Sequence, residues 1–371
     1  MSVWRIPFID VAKEIRPRKQ ELLKAIERVL ESGTYIGGKE VRRFEEAFAR
    51  FCAVRHCVGV NSGTDALILS LQALQIPRGA EVIVPSLTFP ATPLAVVAAG
   101  CIPVFAEVDS TLTLDVQDVR RCLSRKTKAV IAVHWAGLMA NMKSLSELCE
   151  RHGIALLEDA AQAHGASYHG HPAGSLGIVG CFSFFPTKTL ASMGDGGAVT
   201  TDRSEIANRV RLLGDFGRTA REKFELLGRN SRLDALHAST LLIQLRHLRR
   251  RNKERMKNCE RYSLELKDWV GTPVIPPRQT HVYHFYIVRV RQRDMVMAAL
   301  RRSGVESTTH YSVPCHRQPA LASFCRRELP QTGRLCKEIL SLPVEITAAQ
   351  QAVVIREIKS VLKRIGGKGQ P

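Results

Sequence analysis

The chain has 371 residues, 45% hydrophobic and 24% charged, which excludes a disordered protein and leaves room for a large core and a smaller second one. A formal charge of +19 admits a polyanion or an anionic small substrate, but no zinc finger, RNP-type aromatic motif or basic tail accompanies it, so no nucleic-acid partner is expected. The ten cysteines form no Cys-x-x-Cys pair and His281-x-x-His284 has no Cys or Glu cluster beside it, so the expectation is a reduced, cytoplasmic protein without a metal site.

Met1 to Pro7 shows no basic stretch leading into an apolar core, and no secretory signal is read there. The first forty residues, closing in Ser32-Gly-Thr-Tyr-Ile-Gly-Gly38, read as a helix and a glycine-rich loop returning to the main body. From residue 55 to 200, short apolar runs at Cys57–Val60, Glu81–Val84, Pro103–Phe105, Ala129–Val133, Ala155–Glu158 and Gly197–Thr201 alternate with helical patterns such as Asp65–Leu74 and Met142–His152. That alternation predicts an α/β fold with a mainly parallel sheet covered on both faces.

Val82–Ala106 carries no charge over a length that would span a bilayer. Pro85, Pro90, Pro93 and Pro103 break a continuous helix, so strand, loop, short helix and second strand are predicted, and no membrane partner. Beyond residue 245 come basic helices around Arg246–Lys257, a strand-like His284–Val290 and a helix at Val296–Gly304. The change predicts a large domain over 1–245 and a smaller α+β domain over 246–371.

Ligands in such sheets bind beyond the carboxyl ends of the strands. Three features meet there. Asn61-Ser-Gly-Thr-Asp65, between a strand and a helix, would offer the amides of Gly63, Thr64 and Asp65 as a phosphate seat; the plainer reading is an ordinary N-cap by Ser62 or Thr64. Asp159 closes a strand and would suit a protonated pyridine nitrogen; alternatively it caps a helix starting at Ala160. Lys188, in Cys181-Phe-Ser-Phe-Phe-Pro-Thr-Lys-Thr-Leu190, has apolar neighbours and no acidic one, which suits an amine of lowered pKa and Schiff-base chemistry, or a side chain that snorkels to water. Phosphate seat, carboxylate and apolar lysine on successive strand ends together match pyridoxal 5′-phosphate.

The same residues resemble a known family. Ile6-Pro-Phe-Ile-Asp10, Ser32-Gly-Thr-Tyr-Ile36, Ser62-Gly-Thr-Asp-Ala-Leu67, Glu158-Asp-Ala-Ala-Gln-Ala-His-Gly165, Ser183-Phe-Phe-Pro-Thr-Lys188, Gly194-Asp-Gly-Gly197, Asn230-Ser-Arg-Leu-Asp234 and His310-Tyr311 follow the order seen in the DegT/DnrJ/EryC1/StrS sugar aminotransferases. The resemblance implies fold type I, with a mainly parallel seven-stranded sheet and a smaller C-terminal domain. It implies that Lys188 forms the Schiff base and shuttles the proton, that Asp159 pairs with the pyridine nitrogen, that Gln162 reaches the ring hydroxyl and that Phe89 stacks on the ring. Ser62, Gly63, Thr64 and Ser183 would hold the phosphate, and Asn230 would reach the phosphate of a neighbouring subunit in a homodimer with shared sites.

Tyr35, His310, Tyr311 and His316 are the implied substrate residues. The implied reaction passes an amino group from glutamate to a keto group of a nucleotide-linked hexose, with motifs closer to members acting at the sugar 3-position than at the 4-position. A keto-inositol acceptor, a sugar dehydration, or a basic regulatory protein without turnover are the alternatives. Departures fall on substrate and subunit contacts: His134-Trp-Ala-Gly in place of His-Leu-Tyr-Gly, Arg229 where an aromatic or aliphatic residue is common, Leu236-His-Ala-Ser, and Ser312-Val-Pro.

Overall fold

The computed structural model describes residues 4–364, so the reading of Met1 to Val3 lies outside the described residues. Helices α1 (Val11–Ile15), α2 (Lys19–Ser32) and α3 (Gly38–Phe51) precede strand β1 (His56–Val60). Then come α4 (Gly63–Ala73), β2 (Glu81–Pro85), α5 (Ala91–Ala98), β3 (Ile102–Ala106), α6 (Val116–Cys122), β4 (Thr127–Val133), α7 (Met142–His152) and β5 (Ala155–Asp159). Short strands β6 (Ser167–Tyr168) and β7 (His171–Pro172) lead to β8 (Val179–Ser183), β9 (Gly197–Thr201) and α8 (Ser204–Gly214). A small hairpin, β10 (Arg218–Ala220) and β11 (Lys223–Phe224), precedes α9 (Ala235–Leu266). The C-terminal part holds β12 (Gln279–Thr280), β13 (Tyr286–Arg289), α10 (Arg293–Arg302), α11 (Pro330–Glu338), β14 (Ile339–Leu342) and α12 (Ala348–Arg364).

The main sheet has seven strands in the order β1-β9-β8-β5-β4-β2-β3. Pairing is parallel from β3 to β8 and antiparallel at β8-β9 and β9-β1. All five residues of β2 are buried, as a strand covered on both faces requires. Alternate side chains feed opposite layers: Ile83 joins a core with Phe44, Leu148 and Leu241 of α3, α7 and α9, whereas Val82 and Val84 join one with Leu67, Val96 and Val210 of α4, α5 and α8. The uncharged Val82–Ala106 segment is β2, α5 and β3, and among the described residues no helix is long and apolar enough to cross a membrane.

The composition change near residue 245 falls inside one helix. The 32 residues of α9 extend about 48 Å at 1.5 Å per residue. Leu241 and Leu248 belong to the sheet core, while Cys259, Tyr262 and Leu266 join a third core with β13, β14, α10 and α12. The expected strand at 284–290 is the shorter Tyr286–Arg289, and the expected helix at 296–304 is Arg293–Arg302, which starts and ends earlier.

Candidate active site

Lys188 lies just past the end of β8. Phe184 starts the turn: it is fully buried and meets Phe44 and Phe48 edge-on at 5.3 Å, which fixes the chain before the lysine. Phe185, one of the apolar neighbours of Lys188 in sequence, is 46% exposed; its carbonyl accepts from the Lys188 amide at 2.8 Å. Lys188 is partly buried, and burial lowers its amine to a pKa of about 8 against the opposing attraction of Asp159. The lack of an acidic neighbour in sequence is only half true in space. Glu14 and Glu345 line the same cleft, but both are engaged by arginines.

Asp159 ends β5 and is buried. Its Oδ2 accepts from Thr92 Oγ1 at 2.8 Å and its Oδ1 from the Ala161 amide at 3.2 Å. No helix starts at Ala160, so the capping alternative falls away. Burial pushes the carboxyl above its ordinary range, against these bonds and the Lys188 charge. A carboxylate so placed lacks a full counter-ion, which a protonated ring nitrogen would supply.

The phosphate seat is built by close approach. A Cβ on Gly63 would sit 2.6 Å from Ser183 Cβ, and one on Gly197 would sit 2.4 Å from the Ser62 carbonyl carbon, so glycine is required where α4 meets β8 and β9. The Asp65 amide, expected free for a ligand, donates to Ser62 Oγ at 3.1 Å because Ser62 is the N-cap of α4. Gly63 and Thr64 are left as the candidate amides of that helix end. Asp65 itself accepts from Ser231 Oγ at 2.9 Å and faces Arg229 at 3.4 Å, which ties the Arg229–Ser231 segment to the seat.

Gln162 Oε1 accepts from the Ala136 amide at 2.7 Å, and the Gln162 side chain hydrogen-bonds Tyr311. Tyr311 lies edge-on to Trp135 at 5.6 Å and 5.8 Å from the half-exposed Phe89, so these four residues form one wall. His310 stacks on Phe285 at 3.7 Å, and its Nδ1 pairs with Ser341 Oγ at 2.8 Å. Burial holds its pKa down to about 3.

His316 is not in the cleft as expected. It is 1% exposed, with Nδ1 2.6 Å from Ser86 Oγ, so it pins the 315–318 turn to the end of β2. Tyr35 and Asn230 are exposed and do not line the cleft that holds Lys188; the Tyr35 carbonyl accepts from the Ala235 amide at 2.8 Å.

Four features were missed in the sequence. Thr92 holds Asp159. The His164 ring packs between Phe182 and Phe184 with Nδ1 3.1 Å from Thr189 Oγ1, directly after Lys188, and burial lowers its pKa to about 3. Glu158 accepts from His134 Nε2 at 2.7 Å and from the amides of Gly174, Leu176 and Gly177 at 2.6–2.8 Å. Burial opposes its charge, yet the His134 and amide bonds hold it below the usual carboxylate range. Because His134 Nδ1 accepts from the Ala140 amide, its Nε2 carries the proton given to Glu158. Arg255 lines the Lys188 cleft from α9. Only the Glu158 side chain carried a visible signal, its place beside Asp159.

The chain is similar to known proteins over nearly its whole length. A dTDP-3-amino-3,4,6-trideoxy-α-D-glucose transaminase of Streptomyces venezuelae is 40% identical over 368 residues, covering 97% of each chain. A pleiotropic regulatory protein of Geobacillus stearothermophilus is 36% identical, over 95% of this chain and 97% of that one. A crystal structure of S. venezuelae DesV in complex with a ketimine intermediate superposes with a TM-score of 0.94 at 41% identity, over 96% of this chain and 98% of that one. The family model of the DegT/DnrJ/EryC1/StrS aminotransferases matches residues 17–359, and this chain belongs to that family.

Proposed function

We propose that the protein is a pyridoxal-phosphate-dependent transaminase that carries an amino group from glutamate to a keto group, preferably at the 3-position, of a nucleotide-linked hexose. The observation that carries this reading is Lys188, an amine of pKa about 8 held near a buried carboxylate, Asp159, beyond the strand ends. The residues fit the cofactor: Asp159 for the ring nitrogen, Gln162 for the ring hydroxyl, Phe89 for the ring face, and Gly63, Thr64 and Ser183 for the phosphate. Once bound, the cofactor supplies an electron sink for the carbon that loses its proton.

The protein's part is to hold and move that proton. A Lys188 amine of pKa about 8 is partly neutral near neutral pH, so Nζ can take a proton and return it without a large pKa mismatch. Asp159, anchored by Thr92 and the Ala161 amide, keeps its charge aimed at one point. The Phe89, Tyr311 and Trp135 rings form an apolar wall on one side.

A dimer with shared sites is part of the reading. Tyr35, Ile36, Phe185, Met193, Phe216 and Phe224 are 45–60% exposed, a set of large apolar side chains unusual for a free surface. The Tyr35 carbonyl accepts from the Ala235 amide, and Phe216 lies under the guanidinium of Arg232, two residues from the exposed Asn230. The ten unpaired cysteines support a reducing compartment, the cytoplasm. Support for 3-amination comes from the names of relatives, among them the S. venezuelae transaminase and a UDP-2-acetamido-2-deoxy-3-oxo-D-glucuronate aminotransferase of Pseudomonas aeruginosa.

The test is a panel of 3-keto and 4-keto nucleotide sugars and a keto-inositol assayed with glutamate. Amination of a 3-keto nucleotide sugar is expected; amination of keto-inositol alone would refute the acceptor. Mixing inactive Lys188→Ala and Asn230→Ala proteins should restore activity in hybrid dimers, and no restoration would refute shared sites.

A further inference from the structure

The cleft that holds Lys188 has a second set of charges that the aminotransfer chemistry leaves unused. Arg18, Arg251 and Arg255 are buried at 5–7% exposure, an expensive position for cations unless anions meet them. Of the three, Arg255 lines the cleft with Lys188, Glu14 and Glu345, while Arg18 and Arg251 pair with the same two carboxylates without lining it. Arg255 is held by Asn252 Oδ1 at 3.0 Å and by Glu345, and Arg251, outside the cleft, pairs with Glu14. His284, 7% exposed, lines the cleft, and its Nε2 has no hydrogen-bond partner. An orphaned His284 Nε2 and a buried Arg255 guanidinium, in the cleft that Lys188 lines, describe a place that an anion completes.

We propose that this cleft seats a carboxylate of the amino-group donor, with Arg255 as its cation, His284 Nε2 as a neutral hydrogen-bonding partner, and Glu345 as the group the incoming carboxylate displaces. Glu345 suits that part because its side chain is 34% exposed while that of Arg255 is only 5% exposed, so the carboxylate swings to water and the guanidinium stays. Phe8 and Ile9 of the N-terminal segment line the cleft with Thr187, and its small size favours a carboxylate over a bulky sugar nucleotide. The inference rests on the aminotransfer reading above.

The two half-reactions separate the claims. The cofactor-loaded enzyme is mixed with L-glutamate, and the loss of its visible absorbance gives the donor KM; the aminated enzyme mixed with keto-sugar gives the acceptor KM. Arg255→Gln is expected to raise the donor KM on the order of 10–100-fold, through loss of a charge-assisted bond, while the acceptor KM stays within twofold. Glu345→Gln, which removes the competing carboxylate, is expected to lower the donor KM several-fold, and it decides the matter if Arg255→Gln does not fold. An Arg255→Gln donor KM within twofold of wild type, equal losses in both half-reactions, or a raised donor KM in Glu345→Gln overturns the donor site. A loaded wild type whose absorbance ignores every amino acid instead refutes the aminotransfer reading itself.

Discussion

Asp159→Asn separates what this carboxylate does for the fold from what it does for chemistry. Both oxygens act as acceptors, for Thr92 Oγ1 and the Ala161 amide. The asparagine oxygen keeps one of these bonds, and Thr92, which also pairs with Thr88 Oγ1 at 3.0 Å, can turn its hydroxyl to accept from the new amide. The folded pKa of Asp159 lies above its ordinary value, so its charge costs stability once pH rises past the unfolded pKa. Cofactor-free Asp159→Asn should therefore melt no lower than wild type at pH 7, and the two should converge as pH falls through the acid range. In the loaded enzyme the sign reverses, because the ring nitrogen loses its buried partner, worth roughly 3–5 kcal/mol. On the order of 10²–10³-fold is expected to be lost from kcat/KM. Thermal melts of both forms and steady-state rates check this. A cofactor-free variant far less stable than wild type, or a loaded one with near wild-type turnover, would refute the reasoning.

Gly63→Ala forces a Cβ against Ser183 at the seat, an overpacking of about 1–3 kcal/mol; an absorbance titration should show cofactor affinity at least tenfold weaker, and unchanged affinity would show the close approach to be irrelevant. In the cofactor-free protein, modification of Lys188 by an amine-selective reagent should titrate near pH 8, against a value above 10 for exposed lysines, read by peptide mass spectrometry. Its folded pKa is below the unfolded value of 10.5, so stability contributed by this group rises as pH climbs from about 8 to 10.5, and Lys188→Met should erase that rise. Glu158→Gln leaves one oxygen for four donors and should cost on the order of 3–5 kcal/mol, seen as a large fall in Tm; a shift of only a degree or two would contradict the buried network.

The strand runs and their order of burial were legible because a sheet covered on both faces leaves uninterrupted apolar letters, as in Glu81–Pro85. Lys188 and Asp159 were legible for a related reason: a charged residue at the end of such a run has few structural uses. Thr92 and Arg255 were not, because nothing local distinguishes them, and His284 stood out only as half of a histidine pair without further metal ligands. Thr92 reaches Asp159 across 67 residues, and Arg255 sits in a basic stretch whose other cations, Arg251 apart, face water. The continuous α9 was obscured by its own composition, since its apolar stripe passes from one core to another while its outer face stays basic throughout. His316 misled for the opposite reason: a motif position says nothing about burial, and Ser86 claims its ring.

The central claim is that Lys188 carries the cofactor. Borohydride reduction of the loaded protein, followed by peptide mapping, should place a single cofactor adduct on the peptide containing Lys188, and the adduct should vanish in Lys188→Ala protein that still melts cooperatively. An adduct on another lysine, or no adduct on loaded wild type, would contradict the account.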